Sequence, residues 1–347
     1  MQAILILAIL LLVLVVGFQI AKASEYVAMI RGFEKSRKQS NRINGFLMLV
    51  FLVLGLIGVY YCNERLKGTI LGEPASDHGV LVDRMLYVTL AITFIVFLAT
   101  QIALFWFAYK YQESDNRKAF YYPHNNTLEL IWTVIPAIAL SVLVGFGIFY
   151  WFKITGPAPK DAMVVEVVGK QFGWEFRYPG EDGILGKKYF KKVDAAIGNP
   201  VGQLWEDPAN HDDIFVEQEM HLVVGKPVQL VIGAKDVIHD VGLTHFRLKM
   251  DAVPGTPTTM WFTPKFTTAE MKEKTGNPDF VYEISCDQMC GKGHWSMRGI
   301  IVVETQEEFD AWIAAKKPQY LVANPDKDPS VKKDSVSIAP LTTAIIR

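Results

Sequence analysis

The chain has 347 residues, half of them hydrophobic, and a formal net charge of −1. That balance argues against nucleic acid as a partner, and its three cysteines are too few for a disulfide scaffold. The apolar residues gather in four runs within the first ~150 positions, and the remainder has the composition of a water-exposed domain.

A membrane-spanning helix needs about 20 mainly apolar residues. The four candidates cover about residues 3–20, 46–61, 85–109 and 128–152, so residues 1–153 form a membrane domain. The second run is short and is expected to tilt little or to sit in a locally thinned bilayer. Pro136 lies in the first half of the fourth, where neighbouring helices can satisfy the freed carbonyl. Lys22, Arg31, Lys35, Arg37, Lys38 and Arg42 crowd the first loop, and Lys110, Arg117 and Lys118 the third. The second loop balances its bases with Glu64, Glu73, Asp77 and Asp83. Basic loops stay in the cytoplasm, which places both termini and everything after Phe152 on the outer side. Ala21-Lys22-Ala23 imitates a signal-peptide cleavage site, but the stretch lacks a basic leading region. Cleavage would also leave three spans and invert the rest, so the uncleaved reading is preferred. Cys62, alone at the end of an apolar run, reads as a passive thiol.

After Phe152 the pattern changes. Seven short runs rich in β-branched and aromatic residues, at 163–168, 172–178, 217–224, 227–232, 258–262, 280–285 and 299–303, are separated by turn residues. They predict a Greek-key β-sandwich or barrel over residues 154–316. One amphipathic helix is expected at 306–316. Residues 180–214 form a polar insertion without a motif. Residues 317–347 read as a tail whose apolar finish, 338–346, suits either a flexible end or docking on a partner.

The chemistry concentrates between the last two predicted strands, in Cys286-Asp287-Gln288-Met289-Cys290-Gly291-Lys292-Gly293-His294-Trp295-Ser296-Met297. Two thiolates, an imidazole and a thioether are soft ligands that select copper. Cys286 and Cys290 are close enough in sequence for both sulfurs to bridge one metal pair. Gly291 and Gly293 let the loop turn so that His294 folds back. A second imidazole comes from Asp236-Val237-Ile238-His239; His245 is its rival and reads as a packing residue. Structural zinc is the alternative for Cys-x3-Cys-x3-His, but zinc has no use for Met297.

Three stretches carry a resemblance to subunit II of bacterial haem-copper cytochrome c oxidases of the CuA-containing type: Leu128–Pro136, Asp236–Gly255 and the Cys286–Met297 loop. It covers roughly residues 85–305. The resemblance implies a cupredoxin-like domain holding two copper ions, the CuA centre, with Cys286 and Cys290 bridging, His239 and His294 capping, and Met297 and the backbone carbonyl of Gln288 as weak ligands. Sharing one unpaired electron between two coppers keeps reorganisation small. The family usually has Glu at position 288, where its carboxylate also binds magnesium at the contact with subunit I; Gln288 weakens that expectation. Lys170–Phe176 resembles the aromatic segment where electrons come in. Phe172 stands where the family has Trp, Trp174 remains, and the change suggests a non-standard donor such as a tethered cytochrome domain; ordinary strand packing is the alternative for both rings. Glu129 matches a glutamate at the mouth of a proton-uptake path, the alternative being a side chain that snorkels to the interface.

The resemblance implies an electron-input subunit of a proton-pumping terminal oxidase in the bacterial inner membrane. Electrons would pass from a c-type cytochrome to haem and CuB in subunit I, with the copper domain on the periplasmic side and other oxidase subunits as partners. The first two helices suit either anchoring or contacts to those subunits. A quinol oxidase subunit would lack the copper ligands. A CuA subunit of a nitric oxide reductase is the nearest alternative. A copper-carrying assembly factor is the alternative of another class, and would need exchangeable ligands. No Cys-x-x-Cys-His haem pattern occurs, so oxygen chemistry belongs to subunit I.

Overall fold

A computed structural model describes residues 2–68 and 72–330. Four long helices come first: α1 (Gln2–Arg31), α2 (Phe33–Leu66), α3 (Asp77–Lys110) and α4 (Asn126–Thr155). All four are long and apolar enough to cross a membrane. Each outruns its apolar stretch, because helical hydrogen bonding continues into the polar flanks. The second helix is therefore 34 residues long and contains the apolar run at 46–61 within it. Gly32, at φ 86°, breaks the chain between α1 and α2.

The chain divides into two compact units. One comprises residues up to 71 together with Leu86–Val144. In it, Arg37 pairs with Glu113 at 3.0 Å and Lys38 with Asp115. The two basic loops thus lie at the same end of the helices, as their charge requires.

The other unit comprises Gly72–Met85 and the chain from Gly145 onward. Its core is a sandwich of two five-stranded sheets. The strands are β1 (Met163–Lys170), β2 (Gly173–Tyr178), β3 (Ile214–Glu217), β4 (Glu219–Val223), β5 (Val228–Ala234), β6 (His239–Leu243), β7 (Leu248–Ala252), β8 (Thr258–Phe262), β9 (Tyr282–Cys286) and β10 (Arg298–Glu304). One sheet runs β3-β2-β1-β5-β8 and the other β4-β10-β9-β6-β7, with parallel pairs β1·β5 and β10·β4. Val165, Val167, Trp174, Phe176, Leu230, Ile232, Leu243, Phe246, Phe262, Tyr282, Ile284 and Ile301 fill the space between them. This is the expected cupredoxin-like fold.

The run expected over 217–224 proves to be two strands in different sheets. Gln218, at φ 64°, makes the crossing: its N–H bonds Trp174 O at 3.0 Å, and its carbonyl accepts from Ile300 N at 2.8 Å. Short strands β6 and β7 and helix α5 (Thr268–Thr275) are additions to the expected elements. α5 opens on a complete capping box, Thr267 with Glu270. The expected amphipathic helix forms as α6 (Gln306–Ala314).

The polar insertion is organised by one buried cation. Arg177 reaches Glu166 at 2.7 Å, Asp213 at 2.7 Å, Asn210 Oδ1 at 3.1 Å and the Gly186 carbonyl at 2.9 Å. The beginning of the tail packs on the insertion: α7 (Gln319–Ala323) follows Pro318, Gln319 N–H donates to Asp213 O, and Tyr320 stacks on His211. The apolar finish at 338–346 lies outside the described residues.

Candidate metal centre

Strands β6 and β9 are neighbours, and their register pairs Val241 with Cys286. That pairing brings His239, at the head of β6, to the end of β9, where the loop begins. Three buried ligand atoms, one each from His239, Cys286 and Cys290, lie within 4.8 Å of one another. Among the described residues they are the one such group of His, Cys, Asp or Glu side chains. The Nδ1 of His239 is 3.8 Å from Cys286 Sγ, and the Nδ1 of His294 is 3.7 Å from Cys290 Sγ. Met297 Sδ is 3.7 Å from Cys290 Sγ, and the Gln288 carbonyl is 3.1 Å from Cys286 Sγ. Every ligand expected from the sequence is therefore gathered around the two sulfurs.

The loop is held in that shape by its own backbone. Cys286 N–H donates to Met297 O at 3.0 Å, and His294 N–H to Gly291 O at 3.2 Å. Gly291 adopts φ 132°, which a side chain rarely tolerates. Gly169 on β1 faces the imidazole of His239 so closely that a Cβ there would lie 2.8 Å from its Cδ2.

Two groups outside the expected set support the ligands. Asp236 Oδ1 is 2.8 Å from His239 Nε2, and its other oxygen accepts from Gln171 N–H at 2.8 Å. A carboxylate on the outer imidazole nitrogen fixes the tautomer that turns Nδ1 toward a metal. Burial pushes the Asp236 carboxyl up, but the backbone N–H groups of Gln171 and Val237 and the contact with His239 outweigh it and hold the group below its usual range. Gln171 donates through Nε2 to the Cys290 carbonyl at 2.5 Å. The spacing Asp-x-x-His was the sequence signal for the first group; the second had none.

Burial, with the neighbouring Cys286 thiol, pushes the Cys290 thiol up to about 11. A thiol raised in this way resists ionisation in water, so a metal that binds Cys290 must displace its proton. The donor set tests which metal fits. Two sulfurs, two imidazoles, a thioether and a carbonyl suit copper, and the thioether and carbonyl would be surplus to a closed zinc site.

Phe172 is 40% exposed and lies over the loop: a Cβ on Gly293 would meet its ring at 2.6 Å. Trp174 is fully buried, its ring 6.1 Å from that of His239, so it does not reach the surface. His245 packs edge-on against Phe280 and Tyr282, away from the thiols in role as the sequence suggested. Glu129 sits exposed in the first turn of α4, where Asn125 caps the helix through Leu128 N–H.

Comparisons with known proteins identify the family. The family description "Cytochrome C oxidase subunit II, transmembrane domain" matches residues 74–150, and "Cytochrome C oxidase subunit II, periplasmic domain" matches residues 163–305. The alternative cytochrome c oxidase subunit 2 of Bradyrhizobium diazoefficiens is 31% identical over 271 residues, covering 78% of this chain and 92% of that protein. Cytochrome c oxidase subunit 2 of Thermostichus vulcanus is 30% identical, covering 70% and 77%. Among solved structures, the periplasmic domain of subunit II of cytochrome oxidase from Bradyrhizobium japonicum aligns with a TM-score of 0.33 and 22% identity, over 47% of this chain and 99% of that one. The chain belongs to the cytochrome c oxidase subunit II family, as a membrane-anchored electron-input subunit with a periplasmic copper-binding domain.

Proposed function

We propose that this chain holds two copper ions between Cys286 and Cys290 and passes single electrons from a c-type cytochrome toward haem in subunit I. The supporting observation is the convergence of His239, Cys286 and Cys290 within 4.8 Å, with His294, Met297 and the Gln288 carbonyl beside them. In this reading Cys286 and Cys290 would both supply thiolates to the metal pair, His239 and His294 would bind through Nδ1, and Met297 and the Gln288 carbonyl would be weak ligands. Bound copper supplies a one-electron acceptor whose charge is shared over both ions. The chain's part is rigidity. Asp236 orients one imidazole, Gln171 pins the loop backbone, and the sandwich excludes water from the sulfurs, so little has to move when an electron arrives.

Phe172 belongs to the surface that receives the donor, and Trp174 stiffens His239 from behind. Glu129 stands at the mouth of a proton-uptake path into subunit I. The orientation follows loop charge: both termini and the copper domain face the periplasm across the bacterial inner membrane. The domain limits are 1–153, 154–316 and 317–347, with the insertion at 180–214. Subunit I with its haem and CuB, other oxidase subunits and a cytochrome donor, mobile or tethered, complete the assembly. A neutral amide at Gln288 weakens a magnesium contact at the subunit I boundary relative to a carboxylate.

Metal analysis during anaerobic copper titration of the purified complex tests the reading. The expected result is two copper ions bound in this chain, falling to one or none in Cys286→Ser and in Cys290→Ser. A single copper ion in this chain of the unsubstituted complex, or two retained in either variant, overturns it. Magnesium measured in the same samples decides the second metal.

A further inference from the structure

We propose that the apolar stretch near the end of this chain, residues 338–346, folds back into a cavity of its own sandwich domain and closes it. No atom of the metal centre takes part, so the docking is independent of what that centre holds.

The cavity measures about 600 Å³ and lies between the sandwich, the start of the polar insertion and α6. Spaces of roughly 300–1,000 Å³ take a small ligand or a few side chains. Its floor consists of Met163 on β1, Tyr178 on β2, Ile214 on β3, and Phe309 and Ile313 on α6. Tyr178, Ile214 and Phe309 belong to the buried core, so the cavity is continuous with it. An apolar occupant that displaces water from such walls stabilises the domain.

The occupant follows from the course of the chain after α6. Lys316 and Pro318 still line the cavity. The chain then makes a detour over the insertion, where Gln319 Nε2 donates to Gly198 O at 2.6 Å and Lys327 Nζ donates to the Tyr320 hydroxyl at 2.7 Å. It comes back at Asp328, whose buried carboxylate pairs with Lys317, the residue between those two lining positions. The same carboxylate accepts from the Ser330 N–H at 2.8 Å and the Ser330 hydroxyl at 2.7 Å. Ser330, the last of the described residues, is thus delivered to the edge of the cavity by an ion pair. Seven residues, 331–337, separate it from Ile338. Extended, they span up to roughly 25 Å. A tether that short gives the stretch an effective concentration of about millimolar at the cavity, so modest affinity is enough to fill it.

The charges are complementary. Glu181, Asp212 and Asp310 stand at the cavity against Lys226 and Lys316. Among the described residues none of the three acids forms an ion pair. Asp212 accepts from Asp182 N–H and Asp310 from Gln306 Nε2, which leaves both carboxylates charged and unneutralised. Lys316 lies over the Trp312 ring. Residues 338–346 carry no charge, but Lys332 and Lys333 precede them and Arg347 follows, against one acid, Asp334. Cations on both sides of an apolar segment suit an apolar floor with an acidic rim, and fix which way the segment lies.

The test puts a photoreactive side chain in the tail of the purified, detergent-solubilised complex, as Leu341→p-benzoylphenylalanine. Under near-ultraviolet light its ketone inserts into a neighbouring C–H bond, and mass spectrometry identifies the linked peptide. The expected product is a link within the chain to Met163, Phe309, Ile313 or the residues beside them. Ser335→p-benzoylphenylalanine, placed in the tether, is expected to give no link to Phe309 or Ile313. Neither position belongs to the sandwich, so neither substitution disturbs its folding. A link from position 341 to another subunit, to lipid or detergent alone, or no link at all, overturns the proposal. Equal linking to the cavity from positions 335 and 341, the mark of random encounter, overturns it as well. So does a mature chain that ends before Ile338.

Discussion

Asp236 illustrates how much of the site is decided by single side chains that never touch a metal. Its carboxylate holds the outer nitrogen of His239 and thereby aims the inner one. In Asp236→Ala the ring loses that constraint. Copper affinity is expected to fall about 10–100-fold with the fold intact, as measured by competition with a chelator. Unchanged affinity would show that packing alone positions the ring. Gly169 makes the same point from the other side. Gly169→Ala puts a methyl group against the His239 ring, so the folded variant is expected to bind less copper than the parent. The residues that converge were legible in the sequence because four of them, Cys286, Cys290, His294 and Met297, share one loop, and spacing within a loop survives as a motif. His239 was legible through Asp-x-x-His. Gln171 was not, since its bond to the Cys290 carbonyl joins residues 119 positions apart.

At the scale of elements, the strands with clear two-residue alternation or β-branched runs appear where the sequence put them. β8 matches to the residue, and β1, β5, β9 and β10 to within two at each end. The failures have local causes. At Gln218 a left-handed residue splits one apparent strand between two sheets. α5 is only eight residues long, and its capping box was the signal available. The insertion showed no motif because its order comes from ion pairs among separated residues. Arg177→Ala leaves Asp213 buried without its cation and Glu166 with Lys188 alone, which is expected to destabilise the domain by about 3–5 kcal/mol. Limited proteolysis should then cut within 180–214, and an unchanged digestion pattern would contradict this. Burial raises the Asp213 carboxyl from 3.8 to about 6 despite the pull of Arg177. A raised acid favours the fold when protonated, so its contribution is fully present below 3.8 and is lost as pH rises through about 6. The melting-temperature difference between the parent and Asp213→Asn should therefore change across that interval and level off near roughly pH 7. A difference independent of pH would contradict the assignment.

The molecule combines four helices long and apolar enough to cross a membrane with a sandwich that brings residues distant in sequence together. The spans were legible because length and hydropathy suffice to define them, whereas their true helical ends were not. Cys62, exposed near the end of α2, reports on direction. A membrane-impermeant maleimide is expected to label it in spheroplasts, and to label Ser36→Cys combined with Cys62→Ser at position 36 only after the membrane is opened; the reverse pattern would invert the topology. The central claim concerns the sulfurs of Cys286 and Cys290, and electron paramagnetic resonance of the oxidised complex tests it most directly. One electron shared by two equivalent copper nuclei should give hyperfine structure from both. Hyperfine structure from a single copper nucleus, or a silent site loaded with zinc, would contradict the account.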